Sequence, residues 1–271
     1  MAVTPVENST CAIWGNTIAY KTWHDSASER ILALHGWLDN AGSFDLLAPA
    51  LAHHHVVAPD LAGHGLSDYR SADSAYSLWQ DVGDMEQLIT KLKLSPLVAM
   101  GHSRGAMASV MLAALYPEKI RALVLLDGLM PKPVTFDETA SLLRQAFEDK
   151  QKYLDRPPRR YESYEEAIQS RLRGPLKLSR AAVAAIAQRG LAEDAQGYYW
   201  RADPRLRGAS EMKLTAEHSR DFVRRIQCPT LLLVAMPLQD FQQELVALNS
   251  NIQVVRIGGG HHFHLEQSQR P

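Results

Sequence analysis

The chain has 271 residues, 46% of them hydrophobic and 22% charged, which suits one large globular core or a core carrying an inserted subdomain. Lys and Arg number 29 against 30 Asp and Glu, so a formal net charge of −1 gives no global field favouring nucleic acid or a membrane surface. No stretch reaches membrane-spanning length.

The chain begins Met-Ala-Val-Thr-Pro-Val-Glu-Asn-Ser-Thr, without the basic and apolar regions of a secretion signal. The two cysteines, Cys11 and Cys228, lie far apart in sequence and suit packing roles in a reducing compartment, so a cytoplasmic protein is expected. Residues 10–24 predict two short strands broken at Trp14-Gly15-Asn16-Thr17, where Gly15 and Asn16 supply turn chemistry. A buried strand at 30–34 ends in His35-Gly36-Trp37-Leu38-Asp39-Asn40. A helix over roughly 42–53 and a strand at 56–58 then lead to Pro59-Asp60-Leu61-Ala62-Gly63-His64-Gly65-Leu66-Ser67. Leu78, Val82, Met85, Leu88, Ile89 and Leu92 recur at helical spacing and predict an amphipathic helix over 78–93.

Residues 97–105, Leu-Val-Ala-Met-Gly-His-Ser-Arg-Gly, carry an apolar strand into Gly101-His102-Ser103-Arg104-Gly105 and on into a small, helix-favouring run at 106–115. Strand, sharp turn and helix make a nucleophile elbow: the glycines remove Cβ atoms that would clash where the turn holds Ser103 strained and exposed. Ser103 is the candidate nucleophile, and a serine that merely N-caps a helix is the plainer reading. A further apolar strand is predicted at 121–127, and alternation at this spacing implies β-α-β units with a largely parallel sheet.

From about 129 to 226 the pattern changes to helices without clear strands, broken at Pro157-Pro158 and Gly174-Pro175. Alternation resumes with a strand at 230–235, a helix from about 240 to 248 and a last strand at 252–257. The expected organisation is therefore a core from 1–128 and 227–271 with a helical cap at 129–226. A closing helix is expected to begin where the chain ends at Pro271. The 129–226 segment carries 19 Lys and Arg against 14 Asp and Glu, which suggests attraction of anionic substrates such as carboxylate-bearing esters or acyl thioesters; a solvated helical surface is the alternative.

These pieces in this order resemble the serine hydrolase-like proteins of the α/β-hydrolase superfamily. The resemblance is carried by His35-Gly36-Trp37-Leu38-Asp39-Asn40-Ala41-Gly42-Ser43-Phe44-Asp45, by Gly63-His64-Gly65-Leu66-Ser67, by the Gly-His-Ser-x-Gly elbow and by Gly260-His261-His262-Phe263-His264. It implies an α/β fold with an eight-stranded, mostly parallel sheet, helices on both faces and a helical cap inserted after the sixth strand. It leaves the substrate open.

A serine hydroxyl needs an adjacent base near neutral pH. His261, in the loop after the last strand, is the candidate, with His262 and His264 as competitors; His264 is expected to pack against the closing helix. Two aspartates compete for the acid. Asp240 follows the strand at 230–235 slightly late and also starts a helix with Gln243 at capping-box spacing; Asp127 ends the strand at 121–127. Both keep the order serine, acid, histidine. The backbone N–H groups of Arg104 and, by resemblance, Trp37 are the candidate oxyanion donors. The Arg104 side chain is expected to pair with an acidic group under the cap, with a substrate anion as the alternative. His35 and Asp60 are expected to brace loops around the site. The run His53-His54-His55 lacks the ligand spacing of a zinc site, and phosphate-loop and dinucleotide fingerprints are missing, so neither metal nor cofactor is expected.

The expected activity is hydrolysis of a small-molecule carboxylic ester through an acyl-enzyme. Thioesterase, lactonase, amidase and carbon–carbon hydrolase chemistry use the same machinery, and a hydrolase-fold binding or signalling protein with little turnover is the reading from another class.

Overall fold

The computed structural model describes residues 7–174 and 178–266. The first two strands form a hairpin, β1 (Glu7–Ile13) against β2 (Asn16–Trp23), turned by Trp14 and Gly15 in left-handed backbone conformation (φ 46° and 85°). Next come β3 (Glu29–Leu34) and β4 (His54–Pro59), which pair in parallel, with β2 antiparallel on the other side of β4. Helix α1 (Leu78–Lys91), strand β5 (Leu97–His102), helix α2 (Arg104–Leu115) and strand β6 (Ile120–Leu126) continue the alternation. Ser77 caps α1 with its side chain, and Lys91 sits at the negative end of that helix.

Between β6 and its sheet neighbour lies the long insert. It holds α3 (Thr139–Leu154), α4 (Tyr164–Leu172), α5 (Arg180–Gly190), a hairpin of β7 (Leu191–Asp194) and β8 (Gly197–Trp200), and α6 (Ala216–Arg224). The chain then returns through β9 (Thr230–Val234), α7 (Asp240–Ala247), β10 (Ile252–Arg256) and the short α8 (Phe263–Glu266). The eight-stranded sheet runs β1-β2-β4-β3-β5-β6-β9-β10, parallel from β4 onward.

Two core layers follow from the strand alternation. Leu32, Leu34, Ala99, Leu123 and Leu125 face the layer that α1 and α2 cover, while Ile31, Ala33, Met100 and Leu126 face the layer that holds Phe44 and Phe263. Helix α2 is buried along nearly its whole length, so its alanines set how closely it approaches the sheet. Leu214, Phe222, Val223 and Ile226, around α6, join the first layer, whereas α4 and α5 build a smaller cluster with Leu265 of α8.

Two local expectations are corrected. The single helix over 42–53 is instead two short 3₁₀ turns, Ala41–Phe44 and Ala48–Ala50. Asn40 Oδ1 accepts from Gly42 N (2.9 Å) and caps the first turn, and Pro49 lacks the N–H an α-helix would need there. In the 129–226 segment, read as helical, the β7–β8 hairpin forms. Gly197 turns it at φ 105°, and Tyr198, Tyr199 and Trp200 are residues that favour strands. The predicted closing helix, placed from Pro271, lies outside the described residues.

Candidate active site

The elbow sits at the carboxyl end of β5, in the middle of the sheet between β3 and β6. Ser103 has φ 51° and ψ −111°, a conformation that costs a residue with a Cβ about 1–3 kcal/mol. Close packing forces it: a Cβ on Gly101 would overlap the Gly105 carbonyl, one on Gly105 would overlap the Leu34 carbonyl, and one on Gly128 would come to 2.7 Å from the Ser103 carbonyl oxygen. Ser103 N–H donates to Leu126 O (3.0 Å), and its own carbonyl accepts from Ala106 and Met107 (3.1 and 3.2 Å). Its side chain makes no capping bond, so the plainer N-cap reading is not met.

Asp127 follows β6 and is likewise left-handed, at φ 49°. Its N–H donates to Leu233 O (2.8 Å), its Oδ1 accepts from Ala235 N (2.8 Å), and its Oδ2 lies 2.6 Å from His261 Nδ1. Burial pushes the carboxyl up, but the bonds from His261 and Ala235 outweigh it and hold Asp127 below its ordinary pKa. Asp240 lies exposed in the first turn of α7, with Gln239 as the N-cap residue. The structure thus brings Asp127 to His261 and leaves Asp240 apart: the turn after β9 delivers Asp240 to a helix start, where the dipole favours a carboxylate. Among the described residues, neither Ser103 Oγ nor His261 Nε2 has a hydrogen-bond partner.

A cluster of buried imidazoles stands behind His261. His102 Nε2 donates to the His261 carbonyl oxygen (2.8 Å), which ties the histidine loop to the residue before the elbow serine. His262 Nε2 lies 2.9 Å from Asp39 Oδ2, and His264 Nε2 lies 3.1 Å from Ser43 Oγ, so His264 packs on the first 3₁₀ turn. Asp39 Oδ1 takes Arg171 Nη2 (2.7 Å) from α4, whose Nη1 also donates to Leu38 O (3.1 Å). Burial raises the Asp39 carboxyl, but His262 and Arg171 overcome that and hold it far below the usual range. Asp39 therefore joins the His35–Asn40 turn, the histidine loop and the insert. In the sequence, Asp39 is marked only by its place as a carboxylate inside the His35–Asn40 turn, which assigns it no partner. One donor atom each of Asp39, His102 and His262 lies within 4.8 Å of the others, and Arg171 and His262 already engage both carboxylate oxygens of Asp39.

Burial, as the largest cause, drives His102 down to about 3 and His64 and His264 well below their ordinary values. In the unfolded chain these imidazoles take up protons near pH 6.5, about where free histidine titrates, so acid favours unfolding. Stability is full above that pH and is lost below it, by roughly 1.4 kcal/mol per pH unit for each imidazole kept neutral. Thermal melts are expected to show a steeply falling midpoint between pH 7 and pH 5. A flat profile would mean that the imidazoles are protonated in the fold.

Trp37 is 45% exposed, and its indole N–H donates to Leu206 O in the insert (2.8 Å). Next to it Leu38 is left-handed (φ 60°), its N–H donating to His64 Nε2 (3.2 Å). The backbone N–H groups of Trp37 and Arg104 have no partner among the described residues. The Arg104 guanidinium pairs with Asp81 (Nε to Oδ2, 2.7 Å), which lies on core helix α1 and not on the insert. His35 Nε2 accepts from Leu61 N (2.9 Å), and Asp60 accepts from Ala41 N (2.8 Å), Leu66 N (2.7 Å) and buried Arg189 (2.6 Å), bracing the loops around the site. Two clefts open here. Trp37 and Arg104 line one of about 170 Å³, and Trp37 also lines a second of about 590 Å³ against the insert.

Residues 29–268 match the model of the α/β-hydrolase fold family. A human protein named serine hydrolase-like protein 2 is 30% identical over 94% of this chain and 88% of its own length. A zebrafish (Danio rerio) serine hydrolase-like protein is 27% identical over 94% of this chain and 82% of its own. Among solved structures, a hypothetical protein from Pseudomonas aeruginosa PAO1 superposes with a TM-score of 0.91 at 35% identity, covering 97% of this chain and 94% of that one. The thioesterase domain of the curacin biosynthetic pathway shares the fold, with a TM-score of 0.87 at 23% identity over 98% of this chain and 96% of that domain. No helix among the described residues is long and apolar enough to cross a membrane.

Proposed function

The chain belongs to the α/β-hydrolase fold family, and on that premise we propose that it is a serine hydrolase that cleaves carboxylic esters through an acyl-enzyme, with Ser103, Asp127 and His261 as its triad and residues 129–226 as its cap. The observation that carries this reading is the 2.6 Å contact between Asp127 and His261 Nδ1, beside an elbow serine held in a left-handed conformation. With its Nδ1 proton donated to Asp127, His261 keeps the Nε2 lone pair for the Ser103 hydroxyl. Ser103 Oγ attacks the acyl carbon while His261 takes its proton, and the N–H groups of Trp37 and Arg104 receive the oxyanion. Collapse breaks the bond to the leaving oxygen, which takes the proton back from His261. Water, deprotonated by His261 in turn, then frees the acid and restores Ser103. Asp127 stabilises the imidazolium and keeps its charge throughout.

A fluorophosphonate probe tests the proposal, because it reacts only with an activated serine. Stoichiometric labelling, lost in Ser103→Ala and in His261→Ala, is expected. Absence of labelling in the wild type would favour a hydrolase fold that binds and hardly turns over.

Asp39 is assigned as a positioning residue, since its partners hold the oxyanion turn and the His261 loop. Asp39→Asn is expected to lower kcat about 10- to 100-fold, the range seen when supporting hydrogen bonds of a site are cut, with KM nearly unchanged. A KM increase at constant kcat would assign Asp39 to substrate binding instead.

A further inference from the structure

The 590 Å³ cleft is of a size that holds a substrate, and its charge is one-sided. Arg156, Arg159, Arg171 and Arg207 line it together with Trp37 and Trp200, and no Asp or Glu is among the described residues on its wall. Arg171 is already neutralised by Asp39. The other three have no ion pair among the described residues; Arg156 lies over the Tyr153 ring (5.6 Å) and Arg159 over the Tyr161 ring (5.1 Å), which leaves their N–H edges free. Elsewhere in the insert Arg144, Arg160, Arg180, Arg205 and Arg220 pair with carboxylates, and Arg173, Arg201 and Arg224 have no ion pair among the described residues. What sets the cleft apart is three unpaired arginines gathered on one wall that, among the described residues, carries no carboxylate.

We propose that this cleft binds the phosphate-bearing part of an acyl thioester or ester substrate. The inference rests on the serine hydrolase reading above and names the substrate class of that same site. Three unpaired guanidinium groups suit a polyanion: one carboxylate would neutralise a single cation, whereas phosphate oxygens accept several N–H edges at once. Exposed Trp37 gives a flat apolar group a face to lie on, while the Trp200 ring is already faced by the Arg171 guanidinium (5.3 Å). Trp37 lines both clefts and carries one of the two proposed oxyanion N–H groups, so it links the arginine cleft to the proposed acyl site. For a thioester, the Oγ–acyl bond forms as the C–S bond breaks, and the departing thiolate takes the proton that His261 removed from Ser103.

The test compares butyryl-coenzyme A with the butyryl thioester of N-acetylcysteamine, which has the same acyl group and sulfur but no phosphate, and with the neutral and glutarate monoester forms of p-nitrophenyl substrates. The wild type is expected to prefer butyryl-coenzyme A in kcat/KM, and R156Q/R159Q/R207Q to reduce that preference at least tenfold. R144Q/R224Q/R225Q, three exposed charge changes outside the cleft, controls for the same loss of net charge and is expected to alter the ratio less than twofold. Calorimetry of free coenzyme A with Ser103→Ala is expected to show binding that the triple change weakens at least tenfold, a readout independent of turnover. No binding, or a preference unaffected by the triple change, overturns the proposal. A response confined to the glutarate ester also overturns it, in favour of a carboxylate. If fluorophosphonate labelling and all ester hydrolysis fail while coenzyme A still binds through these arginines, the catalytic reading falls and the cleft assignment stands.

Discussion

Replacing Ser103 by alanine is expected to lower kcat by roughly 10⁴ to 10⁶, the loss that follows removal of an acyl-enzyme nucleophile, and to abolish fluorophosphonate labelling. The fold should survive the change. Ser103 Oγ has no hydrogen-bond partner among the described residues, and the anchoring bonds of the residue come from its backbone, to Leu126, Ala106 and Met107. Alanine keeps the Cβ and hence the same left-handed cost at φ 51°, so a thermal midpoint close to wild type is expected beside the lost activity. That pairing separates loss of chemistry from loss of structure. Hydrolysis retained in Ser103→Ala would move the nucleophile elsewhere and overturn the triad.

The elbow was legible because its signal is local: an apolar strand, two glycines at fixed spacing and a helix of small residues leave one backbone solution. Close approach, rather than left-handed backbone at Gly101 and Gly105, is what that solution demands of the glycines. The sheet was legible for a similar reason, since strands buried on both faces read as apolar runs. The helix over 42–53 failed because Asn40 and Pro49 act through single hydrogen-bonding groups that hydrophobic spacing does not register. The hairpin at Leu191–Asp194 and Gly197–Trp200 was hidden in the same way, as Gly197 and three aromatics are a weak signal inside a helical stretch. Asp39 lay beyond reach for a different reason: its partners, His262 and Arg171, are 223 and 132 residues away, and only the folded chain juxtaposes them.

The choice of acid was the least legible part, and Asp127→Asn carries the other large expected effect, a fall in kcat of about 10⁴ with the fold retained. The argument is one of tautomers. In the wild type, Asp127 Oδ1 accepts from Ala235 N–H and Oδ2 faces His261 Nδ1. An asparagine keeps its carbonyl oxygen on the Ala235 N–H, which can only donate, and so turns its NH₂ towards His261. Nδ1 must then accept, which moves the ring proton to Nε2 and leaves no lone pair to take the Ser103 proton. Asp240→Asn changes an exposed carboxylate at the start of α7 and is expected to stay within about threefold of wild type, in line with the small effects of surface substitutions. Steady-state kinetics of the two variants, with thermal melts as the fold control, decide between them. A large loss in Asp240→Asn with Asp127→Asn near wild type would reverse the assignment, and it would require the turn after β9 to rearrange when substrate binds.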